Sequence, residues 1–201
     1  MKIEANLRIF ITGKTQSGKS FLAKHVLQQF NNRLIYDIKR EYSALGLIVR
    51  SMKDLDRAIK GGCNKVVYQP EDLSPEHFND FCGYVYKNLK NIMLCIDEVH
   101  NFCTKSFIPS EFKKIITITQ GDPYRIGVIS ITQRPANTHN DVISNSSLYI
   151  AFKLNLRNDI KAVEDSTGIP EDQLRELPYR RFFVYNDRSE KEIISKLLSK
   201  P

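Results

Sequence analysis

The sequence has no tryptophan, only four cysteines among 201 residues, and no apolar run near the ~20 residues that a membrane helix requires. Its longest apolar stretches, residues 92–96 and 126–132, have the length of single strands. The first residues include an acid and lack the continuous apolar core of a secretory signal. These absences predict a cytoplasmic protein without a membrane segment.

The cysteines and histidines form no metal-binding pattern. No two of the four cysteines make a Cys-x-x-Cys pair, and the four histidines stand far apart along the chain. A zinc site is therefore not expected. Cysteines without obvious partners also suit a reducing compartment, which agrees with a cytoplasmic location.

The composition is that of a folded globular protein. Nine glycines and eight prolines are near average usage, which excludes collagen-like and low-complexity chains. The net charge is +7, and the excess lies in residues 1–60, which hold 12 basic and 5 acidic side chains. No basic run is longer than two residues. Charge by itself therefore gives weak support for a nucleic-acid partner.

The hydrophobic pattern alternates between strands and helices. It predicts strands over residues 7–11, 33–37, 65–68, 92–96, 126–132, 147–154 and 181–185. It predicts helices over residues 19–30 and 54–60, from Ser74 onwards, and over residues 159–165, 170–176 and 189–199. Residues 111–119 fit either a helix or a strand. We therefore expect one α/β domain over residues 1–201, with a mostly parallel central sheet flanked by helices.

A phosphate-binding loop stands between the first predicted strand and the first predicted helix. Its residues complete the pattern G-x-x-x-x-G-K-[ST]: Gly13, Lys14, Thr15, Gln16, Ser17, Gly18, Lys19 and Ser20. Glycines let backbone N–H groups surround phosphate oxygens, and the helix N-terminus adds its positive dipole end. Lys19 is expected to bridge the β- and γ-phosphates of ATP, and Ser20 to ligate Mg²⁺.

Two adjacent acids, Asp97 and Glu98, follow the apolar strand at residues 92–96. Open α/β sheets bind their ligands at this carboxyl edge. We expect Asp97 to hold Mg²⁺ and Glu98 to polarise the water that attacks the γ-phosphate. His100, two residues further on, fits a capping or core role as well as a coupling role.

A second buried strand, at residues 126–132, is followed by the polar residue Gln133. A glutamine at that edge can hydrogen-bond the γ-phosphate or the attacking water. A turn opened by Arg134 and Pro135 is the alternative interpretation.

The three motifs together resemble the FtsK–HerA superfamily of DNA-pumping ATPases, within the strand-catalytic-glutamate (ASCE) division of phosphate-loop enzymes. The segment Asp-Ile-Lys-Arg-Glu-Tyr at residues 37–42 is similar to that family's acid-x-x-x-Glu-Tyr segment. The similarity covers roughly residues 7–160. The resemblance implies a RecA-like fold and a ring of identical subunits, a hexamer or pentamer, that threads double-stranded DNA through its centre.

Cellular members usually carry extra domains, and from the 201 residues we expect only the motor domain. Motor-only versions are characteristic of viral genome-packaging ATPases. The resemblance therefore implies hydrolysis of ATP to ADP and phosphate, coupled to packaging of a viral genome into a preformed capsid in the host cytoplasm. A capsid vertex or portal protein is then a further partner.

The family also supplies an arginine to a neighbouring subunit's site, from a position just before the sensor strand. Arg125 is the only arginine there, with Arg134 and Arg157 as substitutes. Possible DNA contacts come from lysines in the segment after Glu98. These are Lys105, Lys113 and Lys114. A solvated helix face explains the same lysines equally well.

Other enzymes that carry a phosphate loop are less compatible with this sequence. A small-molecule or nucleotide kinase needs a base-recognition site and an arginine-rich lid, and has no use for Glu98. A helicase with a D-E-x-H motif needs a second motor domain. Ring-forming relatives that act in conjugation or filamentous virus extrusion remain alternatives, although the latter require a membrane segment.

Overall fold

The computed structural model describes residues 6–186 together with the backbone of residues 192–197. The strands are β1 (Arg8–Thr12), β2 (Arg33–Tyr36), β3 (Leu47–Val49), β4 (Lys65–Tyr68), β5 (Ile92–Ile96), β6 (Ile126–Thr132), β7 (Leu148–Phe152), β8 (Arg181–Asn186) and β9 (Glu192–Leu197). They form one sheet in the order β3-β4-β2-β5-β6-β1-β7-β8-β9. All pairs from β3 to β7 are parallel, and β8 and β9 are antiparallel additions at one edge. The predicted mostly parallel sheet is confirmed.

Helices cover both faces of this sheet. They are α1 (Lys19–Leu27), α2 (Met52–Lys60), α3 (Pro75–Asn88), α4 (Ser110–Ile118), α5 (Asn140–Ser144), α6 (Arg157–Thr167) and α7 (Glu171–Glu176). Because side chains alternate along a strand, β1 feeds two separate cores. Phe10 joins the core that contains Phe78 of α3, whereas Ile9 and Ile11 join the core that contains Val26 of α1. Strands buried on both faces read as continuous apolar runs in the sequence.

The segment that fits either a helix or a strand is a helix, α4. Phe112, Ile115 and Ile116 are buried, and α4 packs against α3. β5 and β6 are parallel neighbours, so the chain between them must cross over one face of the sheet. This tertiary requirement overrides the strand propensity of the isoleucines.

The helix α1 ends at Leu27, although the sequence predicts a helix to residue 30, and Arg33 binds the turn that follows it. The guanidinium of Arg33 donates hydrogen bonds to the carbonyl of Leu27 at 3.3 Å and to that of Phe30 at 2.8 Å. It also donates to the carbonyl of Leu45 at 2.8 Å. This buried cation therefore lies at the C-terminal end of the helix, where the helix dipole favours a positive charge.

The predicted helix over residues 189–199 is wrong for residues 192–197, and its other residues lie outside the described part of the chain. The backbone of Glu192–Leu197 forms β9, which pairs antiparallel with β8. This pairing satisfies backbone groups that β8 would otherwise expose as a sheet edge. The sequence pattern also gives no sign of β3, a three-residue edge strand with two exposed apolar side chains.

Among the described residues, no helix is long and apolar enough to cross a membrane.

Candidate active site

The phosphate-binding loop leaves the carboxyl end of β1 and returns at the first residue of α1. Gly13 has φ +154°, and a Cβ atom there would lie 2.5 Å from Cβ of Phe152 on the neighbouring strand β7. Gly18, the residue before α1, has φ +111°. L side chains rarely adopt either conformation. The two glycines of the motif are therefore required by the path of the loop.

Lys19 lies over the loop that precedes it. Its ammonium group donates hydrogen bonds to the carbonyl oxygens of Gly13 and Lys14, each at 2.8 Å. Burial lowers the pKa of Lys19 to about 8, assisted by the positive charge of Lys39 and opposed by the carboxylates of Asp97 and Glu41. The loop thus holds a desolvated cation where it interacts with the carboxylates of Asp97 and Glu41.

Asp97 follows β5 and is buried. Burial raises its pKa to about 7, while the nearby cations Lys39 and Lys19 lower it. Its Oδ2 atom has no hydrogen-bond partner among the described residues. A buried carboxylate oxygen without a partner suits a divalent cation, and Ser20 is half-buried at the start of α1. Asp97 and Ser20 therefore fit Mg²⁺, whose other ligands would be phosphate oxygens and water.

Glu98 is buried beside Asp97 and forms an ion pair with Lys39. Its backbone has φ +51°, an uncommon conformation for a non-glycine residue. The second carboxylate oxygen lies 3.2 Å from Nδ1 of His100. Lys39 therefore holds one carboxylate oxygen, whereas the second has no hydrogen-bond partner among the described residues.

Lys39 is the residue of the site that sequence reasoning missed. It belongs to the loop after β2, and β2 is the parallel neighbour of β5 with Tyr36 opposite Ile96. The segments that follow these two strands therefore meet at the sheet edge. The signal was present in the sequence as a lysine in the segment 37–42, but only the strand order reveals its partner.

Asp37 supports this loop. Its carboxylate accepts hydrogen bonds from the backbone N–H groups of Glu41 and Tyr42, each at 3.0 Å, and from the side-chain amide of Gln69 at 2.9 Å. All three donors are groups of this chain. Asp37 thus fixes the loop that carries Lys39.

Gln133 reaches the phosphate-binding loop. Its Oε1 atom accepts a hydrogen bond of 2.6 Å from the hydroxyl of Thr15. The preceding residue, Thr132, lies 2.9 Å through its hydroxyl from Nδ1 of His100. Burial lowers the pKa of His100 to about 4, so the ring is neutral at pH 7. His100 therefore lies between the end of β6, to which it is hydrogen-bonded through Thr132, and the carboxylate of Glu98.

The three arginines considered for the site of a neighbouring subunit lie in different parts of the structure. Arg125 is exposed and directly precedes β6, at the edge of the sheet opposite the phosphate-binding loop. Arg134 pairs with buried Asp159 at 3.3 Å, and Arg157 is exposed at the start of α6. Arg125 is therefore directed away from the site of its own chain.

The three lysines predicted as DNA contacts differ in the charges that surround them. Lys113 pairs with Asp141 at 2.9 Å, and Lys114 pairs with Glu111 at 2.5 Å. Lys105 is exposed and lines a cleft of about 900 Å³ that lies beyond the end of β6. Two of the three charges are thus already balanced within the chain.

Solved structures share this architecture. The genome packaging NTPase B204 from Sulfolobus turreted icosahedral virus 2, in complex with ATP-gammaS, matches with a TM-score of 0.80 and 20% sequence identity. The match covers 98% of this chain and 100% of that one. This chain has the fold of a viral packaging NTPase. The predicted phosphate-loop fold is confirmed, and the resemblance to packaging ATPases holds at the level of the fold.

Two further solved structures match with lower TM-scores. VirB4 of Thermoanaerobacter pseudethanolicus has a TM-score of 0.67 at 10% identity, covering 96% of this chain and 89% of that one. The pCW3 conjugation coupling protein TcpA has a TM-score of 0.56 at 18% identity, covering 97% of this chain and 61% of that one. No protein-family model matches the sequence, and no curated protein matches it.

Proposed function

We propose that this protein is a Mg²⁺-dependent ATPase of the FtsK–HerA type. The observation that carries the proposal is the meeting of four segments at one sheet edge. Lys19 and Asp97 interact electrostatically, Glu98 pairs with Lys39, and Gln133 bonds the phosphate-binding loop. A cation, a carboxylate free for metal, a candidate base and an amide are the groups that phosphoryl transfer to water requires.

Each residue then has a separate task. Lys19 leaves the carbonyls of the loop to bind the β- and γ-phosphates, and backbone N–H groups of residues 13–20 bind the remaining oxygens. Glu98 accepts a proton from the attacking water, and Gln133 orients that water or the γ-phosphate. Mg²⁺, held by Ser20 and Asp97, would neutralise charge on the phosphate oxygens.

ATP hydrolysis by two variants tests this assignment. Glu98→Gln should retain ATP binding and lose about 10²–10⁴-fold in kcat, because the amide cannot accept the proton. Lys19→Ala should lose binding. Glu111→Gln, a glutamate on α4, is the control and should hydrolyse ATP like the wild type. Hydrolysis by Glu98→Gln at the wild-type rate would overturn the role of Glu98.

We further propose that the protein translocates double-stranded DNA, as a hexameric or pentameric ring that packages a viral genome in the host cytoplasm. The fold of B204 supports packaging, and Arg125 at the opposite edge supports head-to-tail assembly, in which each subunit completes its neighbour's site. Lys105 and Lys161, which line one cleft, supply candidate phosphate contacts beside Lys113 and Lys114. A capsid vertex or portal protein would anchor the ring.

Light scattering of the purified protein tests the assembly and its ligand together. A ring should form with a non-hydrolysable ATP analogue and bind duplex DNA of unrelated sequences equally well. A verified ring that fails to bind duplex DNA at low salt would refute translocation and would leave the ATPase assignment intact.

A further inference from the structure

A cavity of about 330 Å³ separates the phosphate-binding loop from the turn that leads into β8. On one side it is lined by the loop and by the first residues of α1, including Phe21. On the other side it is lined by Tyr179 and Arg180. A nucleotide whose phosphates occupy residues 13–20 extends its nucleoside beyond the loop, and this cavity adjoins the loop. The cavity therefore offers space for a base.

Tyr179 has an unusual position for a large aromatic side chain. It is 64% exposed, more than any other large hydrophobic residue among the described residues. Phe21, on the same cavity, is 40% exposed. Aromatic faces left open to water beside a concave site are the groups that stack on nucleobases, because every base has a π-face. Both rings would lose water contact when a base enters.

The turn that carries Tyr179 is built to hold it in place. The N–H of Arg181 donates a hydrogen bond of 3.0 Å to the carbonyl of Pro178, and Arg180 between them has φ +62°. A non-glycine residue with this φ is uncommon and marks a tight turn. Buried Leu174 and Leu177 anchor the preceding segment in the core.

Arg180 also orients the ring. Its guanidinium carbon lies 5.4 Å from the centroid of Tyr179, within the range of a cation–π contact. Outside the phosphate-binding loop, the cavity is lined by the charged side chains of Lys39, Glu41 and Arg180 and by the rings of Phe21 and Tyr179. The two rings are the groups of this lining that offer a stacking surface to a base.

We propose that Tyr179 stacks on the base of the bound nucleotide and that Arg180 holds the ring in position. This inference rests on the proposed ATPase function and names the element that recognises the nucleoside. Purine nucleotides, with the larger π-face, should bind more tightly than pyrimidine nucleotides.

The proposal is tested with two probes that share a triphosphate group. One of them carries a nucleoside and the other does not. Dissociation constants for ATP and for inorganic tripolyphosphate are measured by calorimetry on the full chain, for the wild type, Tyr179→Ala and Tyr179→Phe. Tyr179→Ala should weaken ATP binding about 5- to 150-fold and leave tripolyphosphate binding unchanged. Tyr179→Phe keeps the ring and should bind ATP like the wild type.

Three other outcomes would contradict either the stacking role of Tyr179 or the proposed ATPase function. If the wild type binds ATP and Tyr179→Ala binds it equally well, the stacking role is wrong and the ATPase proposal stands. If Tyr179→Ala weakens both probes equally, the tyrosine acts on the phosphates and the proposal is again overturned. If the wild type binds neither probe, the proposed function itself fails. Thermal unfolding of the variants should match the wild type, because Tyr179 is exposed.

Discussion

Thr15 and Gln133 are 118 positions apart in the sequence and are joined by a hydrogen bond of 2.6 Å. The phosphate-binding loop is thereby tied directly to the end of β6. We expect loss of the γ-phosphate at the loop to alter this hydrogen bond. We expect Gln133→Ala to bind ATP normally and to lose about 10²–10³-fold in kcat, the usual effect of removing one preorganised hydrogen-bonding group.

Thr15→Val is the companion variant for this prediction. It removes the hydroxyl donor and keeps the shape of the side chain, so the amide of Gln133 remains available to substrate. Its kcat should fall less than that of Gln133→Ala. A Gln133→Ala variant with wild-type kcat would show that the amide only supports the loop.

The Lys39–Glu98 pair should contribute to stability as well as to the site. Lys39→Met would leave the buried carboxylate of Glu98 without its cation. Loss of one partner of a fully buried pair costs about 3–5 kcal/mol, but Lys39 is 36% exposed and water screens it. We expect the free energy of unfolding to fall by about 1–3 kcal/mol, measured by urea denaturation.

A double-mutant cycle isolates this interaction. Glu98→Gln removes the charge that Lys39 balances, so Lys39→Met should cost little in a Glu98→Gln background. Equal losses in both backgrounds would mean that Lys39 stabilises the fold through groups other than Glu98.

Arg125 should act on a neighbouring subunit, because it lies at the edge opposite its own phosphate-binding loop. An arginine supplied from outside is worth about 10³–10⁵-fold in rate in related phosphoryl transfer. Arg125→Ala and Lys19→Ala subunits should each be nearly inactive alone and should regain activity when mixed. ATPase assays at a fixed total concentration measure this restoration.

Arg57→Ala, which changes an exposed arginine on α2, is the control and should keep wild-type activity by itself. Absence of restoration on mixing, together with a specific activity that stays constant on dilution, would exclude a role for Arg125 in trans. Arg157 would then be the next candidate, since Arg134 is paired with Asp159.

Lys105 should contribute more to DNA binding than Lys113 and Lys114. Removal of a lysine that neutralises one DNA phosphate should reduce the slope of log K against log salt by about 0.9. We expect this reduction for Lys105→Ala. The Lys113→Ala/Lys114→Ala variant should change the slope by less than twice that amount, because Asp141 and Glu111 already neutralise these charges.

Duplex affinity at several salt concentrations, with a non-hydrolysable ATP analogue, measures these slopes. Lys60→Ala, on α2, is the control and should leave the slope unchanged. A wild-type slope in Lys105→Ala would remove this lysine from the DNA interface.

His100 should make the protein less stable in acid. Burial lowers its pKa from 6.5 to about 4, so the unfolded chain binds a proton more readily than the folded one between these values. The free energy of unfolding should therefore fall as pH drops from 6.5 to 4, by up to about 3 kcal/mol. Denaturation of the wild type and of His100→Asn across this range measures the contribution.

The comparison with His100→Asn is necessary because Asp97 acts in the opposite sense. Its pKa is raised to about 7, so it stabilises the folded chain as pH falls below that value. The difference between the two proteins isolates His100. Parallel pH profiles would show that the ring is not buried in its neutral form.

Features that depend on local chemistry could be predicted from the amino-acid sequence alone. Apolar runs predicted the buried strands, and the glycine spacing at residues 13–20 predicted the phosphate-binding loop, because backbone conformations of this kind require glycine. Acids that follow β5 and an amide that follows β6 predicted a polar sheet edge. Each of these signals is carried by only a few consecutive residues, so the sequence displays it directly.

The tertiary structure decided everything that depends on the order of the strands. Only the placement of β2 beside β5 brings Lys39 to Glu98, and the turn before β8 meets the phosphate-binding loop only in the folded chain. Pairing with β8 makes residues 192–197 a strand although their pattern favours a helix. Local patterns carry no information about which strands become neighbours, because pairing is decided by burial and backbone hydrogen bonding across the whole sheet.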